Sequence, residues 1–205
     1  MLRRLSLSAA LAIATASLGA AAPAPASPSA LQSAAERLVG RQVLRDMTSE
    51  KSRKTIRGAK ALWMDVVIQK PTEDAGAFSS LEADLRTTDM EGQLRDAGFR
   101  VMDPKKKSLA MSLRPTLVLM VLRSPQGAEG LDKGFYVVTA NAVQDCTPLG
   151  GTVFSTATWI KIGDPIAFSG DDHKDIDAIR LSARACVKAF IDAAQDNVTN
   201  SGSTK

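Results

Sequence analysis

Residues 115–123 read PTLVLMVLR, a run in which both alternating sets of side chains are apolar. A strand with one wet face alternates apolar with polar, so an apolar pair of faces demands cover above and below. The run therefore predicts a strand in the interior of a sheet with material packed on both sides. The run is strand-sized and far short of the ~20 residues a membrane-spanning helix needs. No later stretch exceeds it, so no transmembrane segment is expected after the N-terminal leader.

Three further stretches carry period two. In ALWMDVVIQ, Leu62, Met64, Val66 and Ile68 alternate with Trp63, Asp65, Val67 and Gln69, and Pro71 ends the run. KGFYVVTANAVQDC presents Tyr136, Val138, Ala140 and Ala142 on one face and ends at Cys146. After the turn residues TPLGG, TVFSTATWIKIG reads as its antiparallel partner. FRVM, at 99–102, reads as a short strand.

Helical periodicity frames these strands. Ser29 and Gln32 form a capping-box pattern ahead of Leu31, Ala35, Leu38, Val39, Val43 and Met47, which predicts an amphipathic helix running to about Gly58. Residues 72–87 read ambiguously: Ser79 and Glu82 could open a helix, but Leu81 and Leu85 fall on the opposite helical face from Met90, Leu94 and Ala97. Thr88 and Glu91 form a second box, predicting a helix that starts there and stops at Gly98. The last helix starts at Asp171 or Asp172, with Ile176, Ile179, Ala183, Cys186, Val187, Phe190, Ile191 and Ala194 along one stripe.

The N-terminus reads MLRR, then LSLSAALAIATASLGAAA, then small residues with Ala24-Pro25-Ala26, the order of a secretory signal peptide cleaved before Ser27. The expected organisation is a signal peptide over 1–26, a basic amphipathic helix over 27–60, an α+β domain over 61–196 and a disordered tail over 197–205. The fold class expected is α+β, a mainly antiparallel sheet of four to five strands with amphipathic helices packed on one face. Export makes the mature protein periplasmic or secreted. Loss of Arg3 and Arg4 lowers the net charge from +4 to about +2, which gives no support to general nucleic-acid binding. In an oxidising compartment Cys146 and Cys186 are expected to form a disulfide, the alternative being two buried thiols.

His173 is the chain's single histidine and sits in GDDHKDID among Asp171, Asp172, Asp175 and Asp177. The alternating acids suggest a calcium loop, but Ile176 and Ser182 occupy the positions where such a loop needs glycine and glutamate. Helix capping explains the acids instead, because the unpaired N–H groups of a helix start attract carboxylates. One histidine and two cysteines fall short of a zinc set. Walker, dinucleotide and Gly-x-Ser-x-Gly patterns do not occur, so no metal, cofactor or catalytic residue is assigned.

The strongest charge feature is Arg41, Arg45, Lys51, Arg53, Lys54, Arg57 and Lys60, set against only Asp46 and Glu50, with Lys105, Lys106 and Lys107 in a later turn. These ten residues are the candidate partner-binding set, for a protein or an anionic envelope component. Aromatic residues are not interleaved with them, which disfavours nucleic acid. The oligomeric state stays open. LRDAGFRV, STATW and CVKAFIDA, in this order of elements, resemble small exported bacterial α+β domains. The layout over residues 61–195 is similar to the N-terminal domain of the periplasmic protein TolB. The resemblance implies an envelope binding or assembly module that docks partners. A carboxylate-dependent envelope hydrolase and a small apolar-ligand carrier are the alternatives.

Overall fold

A computed structural model describes residues 27–39, 50–69, 78–102, 114–124, 133–146 and 154–195. Helix α1 (Pro28–Val39) and helix α2 (Glu50–Ile56) precede strand β1 (Ala61–Ile68). Helix α3 covers 81–96, and then come β2 (Arg100–Met102), β3 (Thr116–Ser124), β4 (Phe135–Cys146), β5 (Phe154–Ile162), β6 (Ile166–Ala167) and helix α4 (Asp172–Gln195). The sheet order is β2-β1-β3-β4-β5, and β6 pairs with β4 beyond the end of β5. Both pairings of β1 are parallel; β4 runs antiparallel to β3, β5 and β6. The architecture is the expected α+β, with five main strands in a mixed, mostly antiparallel sheet.

PTLVLMVLR is central, as its doubly apolar pattern requires. Leu117, Leu119 and Val121 are fully buried in the main core with Leu62, Met64 and Val66 of β1 and Tyr136, Val138, Ala140 and Ala142 of β4. Helices α3 and α4 close this face: Trp159 and Phe190 meet edge-on at 5.5 Å, and Phe99 lies 5.8 Å from Phe190. The other face has its own small cluster, in which Ala34 and Ala35 of α1 pack on Phe135 and Val137 of β4. Ile56 of α2, by contrast, is buried in the main core. The sequence suggests one helix from Ser29 to Gly58, yet the described segments α1 and α2 serve opposite faces of the sheet. The cap of α1 also differs from the expectation. Ser27, not Ser29, accepts the Ala30 N–H through Oγ at 3.3 Å, and Pro28 occupies the first helical position, where its missing N–H costs nothing.

Helix α3 resolves the conflict between its two apolar sets. Residues Leu81–Asp84 and Gly92–Asp96 are α-helical, but Leu85–Glu91 between them is a π-helix. At about 100° per residue, five α-helical steps would leave Met90 about 140° around from Leu85. A π segment, bonded i to i+5, brings the fifth residue back over the first. Leu81, Leu85, Met90 and Leu94 therefore share one buried face. Thr88 lies inside this helix and does not start it. At the C-terminal end Gly98 has φ +85°; its N–H donates to Arg95 O and that of Phe99 to Leu94 O, both at 2.9 Å, the Schellman stop expected at that glycine.

Candidate functional site at the β5 edge

Strand β5 is the edge of the sheet, and among the described residues no strand pairs with its outer side. Gly163 N–H donates to Val138 O at 2.8 Å, which fixes the phase of the antiparallel ladder. Inward and outward amides alternate, so Lys161 and Trp159 direct theirs toward β4, while Ile160 and Ile162 direct theirs outward. Thr158, on the outward phase, accepts a hydrogen bond from Thr55 Oγ1 of α2 at 3.4 Å. Helix α2 thus covers one part of this edge.

Beside the edge lies an open groove of about 310 Å³ between α2, β5 and α4. Trp159, Ala189 and Ala193 give it apolar walls, and the two alanines leave room because neither side chain reaches far from α4. Arg53, Lys161 and Asp192 add charge. Asp192 is held by Lys188 one turn earlier on α4, at 3.0 Å. The lining then leaves two cations against one acid that already has a lysine.

Arg53 is thus the one member of the predicted basic set found in the groove lining. Lys54 and Lys60 are exposed, Arg57 is half-buried, and the backbone of Lys51 lies on α2. Arg41, Arg45, Lys105, Lys106 and Lys107 lie outside the described residues.

The acids around His173 serve the start of α4. Asp171 Oδ1 accepts the N–H groups of Lys174 and His173, at 3.4 and 3.1 Å, which makes it the N-cap. These bonds, that of Lys174 foremost, hold the Asp171 carboxyl below the ordinary carboxylate range. Asp175 turns the other way, is buried, and accepts Ser169 N–H at 3.0 Å. The two carboxylates therefore point at different backbone donors and do not converge.

The expected disulfide is corrected. Cys186 is a free, buried thiol whose Sγ donates to Val138 O at 3.7 Å. Cys146 lies eight residues further along β4, roughly 25 Å at strand spacing, whereas a disulfide needs Cα atoms within about 7 Å. Both cysteines belong to a packed helix and strand, as the periodicity implied, but they sit at different heights along that strand. Burial pushes the Cys186 thiol up to about 11.

Two clusters escaped sequence reasoning. Asp89, fully buried in the π segment, accepts from Arg180 Nε and Arg184 Nε, each at 2.7 Å. The hydrogen bond to Asp89 raises the Arg180 pKa above its ordinary value. The only signal was an i, i+4 arginine pair flanking the apolar stripe of α4; its partner is 91 residues away in sequence. At the far end of β4, Tyr136 stacks on Phe168 at 4.6 Å and Arg123 lies 5.1 Å over the same ring. Burial raises the Tyr136 pKa, against the pull of Arg123.

No family model and no curated protein matches the chain. A solved structure does: a PelC dodecamer from Paraburkholderia phytofirmans is 18% identical over 68% of this chain and 89% of that one, with a TM-score of 0.32. The similarity is distant and places the chain in no family, so function has to be read from its own residues. Among the described residues no helix is long and apolar enough to cross a membrane.

Proposed function

We propose that this chain is a non-catalytic docking module of the bacterial cell envelope, periplasmic or secreted, that holds an anionic protein or envelope component. The groove at the β5 edge carries the reading: it is open, its walls mix indole and small apolar side chains with cations, and Arg53 joins it to the basic surface of α2. Binding sites of this kind gain affinity from apolar contact and gain encounter rate and specificity from charge. The N-terminal leader supports an envelope location. The element order likened above to the TolB N-terminal domain agrees with a docking role, as a likeness of layout alone.

Two-carboxylate hydrolysis would need a second acid facing the first, and Asp192 is the single acid of this groove. A carrier of small apolar ligands would need an enclosed pocket, where this one is open and charged. The test is charge reversal. Arg53→Glu, Lys54→Glu and Arg57→Glu together should weaken association with an envelope fraction while leaving the melting temperature within a few degrees, as substitutions at an exposed or half-exposed surface do. Unchanged association in the folded triple variant would refute the reading.

A further inference from the structure

We infer that the outer edge of β5 receives an extended acidic segment of a partner protein as an added strand. This deepens the docking function proposed above and rests on it. The outward amides of Ile160 and Ile162 supply main-chain donors and acceptors for such a strand, and among the described residues no strand takes that place. Protein edges are ordinarily blunted by proline, clustered charge or cover. Strand β5 contains no proline, and FSTATWIKI is rich in β-branched and aromatic side chains with Lys161 its only charge. Helix α2 reaches as far as Thr158 through Thr55, which leaves the half of the strand that adjoins the groove.

An added strand sends alternate side chains to the same face. Every second residue of the incoming segment would thus face the groove over Ala189 and Ala193, where Arg53 and Lys161 favour carboxylates. The same charges argue against a second copy of this chain as occupant. Pairing β5 with β5 would bring two Lys161 side chains and two Arg53 side chains toward one another, and like charges across an interface are costly.

The experiment selects random ten-residue peptides displayed against the full mature chain at low ionic strength. Enrichment of sequences alternating Asp or Glu with β-branched residues is expected. N-methylation of two alternate amides of an enriched peptide should weaken binding by about tenfold or more, and methylation of the intervening set should not. Lys161→Glu should shift enrichment away from acidic peptides. Binding that ignores methylation in both phases overturns strand addition; if the α2 charge reversals still abolish envelope association, the broader docking function stands. Failure to enrich any peptide, with self-association seen by light scattering and removed by Lys161→Glu, overturns it in favour of a second copy. Failure to enrich any peptide without self-association also overturns it; envelope association insensitive to the α2 reversals then removes both proposals.

Discussion

Replacing Asp89 by alanine should be the most damaging single polar substitution in the described fold. Its carboxylate is wholly buried and ties the π segment of α3 to Arg180 and Arg184 of α4, whose side chains are 29% and 50% exposed. Breaking a fully buried ion pair costs about 3–5 kcal/mol, because the remaining charge is left without a partner. Here both guanidinium groups have some access to water, so part of that cost is recovered by hydration, and roughly 2–4 kcal/mol is the working figure. In a domain of this size each kcal/mol lowers the melting temperature by about 2–4 °C, so Asp89→Ala should lose about 5–15 °C. Asp89→Asn keeps the volume and one acceptor and should lose less. Arg184→Ala should cost under about 1 kcal/mol, since its side chain is half-exposed and Arg180 still faces the carboxylate. Thermal and urea unfolding followed by circular dichroism measures the series. A loss below about 0.5 kcal/mol for Asp89→Ala, or a larger loss for Arg184→Ala than for Asp89→Ala, would refute the clasp.

Three other predictions follow from the local geometry. Deleting Thr88 should convert the π segment to α-helix and keep Leu81, Leu85, Met90 and Leu94 on one face, so the variant should fold with a melting temperature within about 5 °C of the parent; deleting Ser182 from α4 should turn its stripe by about 100° and prevent folding. A reducing agent should leave the melting temperature unchanged, and Cys186 should resist alkylation at pH 8 until the protein is unfolded; a Cys146–Cys186 bond would instead be worth about 3–4 kcal/mol and show a clear drop on reduction. The native bonds to Lys174 and His173 hold the Asp171 pKa below its unfolded value, so its stabilising contribution is complete above about pH 4 and disappears as pH falls through the folded value. The stability gap between the parent and Asp171→Ala should therefore close in acid, as urea titrations at pH 7 and pH 2.5 will show.

Strands β1, β3, β4 and β5 were legible because each buries one alternate set of side chains in a common core, and β3 announced its central place by having no polar face. The last helix was legible from its stripe and its acidic cap. Helix α3 was not, since 4-5-4 spacing fits no regular α-helix; only a local change of helical period reconciles Leu85 with Met90. The two faces served by α1 and α2 were hidden as well, because periodicity tells which side of a helix is apolar and not which face of the sheet it meets. Cysteine counting suggested a bond that strand length forbids. As for the groove, its basic rim could be anticipated from Arg53, but its room comes from Ala189 and Ala193, which read as ordinary small members of a helical stripe.

Site-specific photocrosslinking in producing cells tests the docking function most directly. A benzophenone side chain placed at Lys161, on the groove, should yield a discrete adduct that disappears when Arg53 is changed to Glu, whereas the same probe at exposed Val67 or Leu181 should yield none. Adducts from Val67 or Leu181 with a silent Lys161 position would contradict the account.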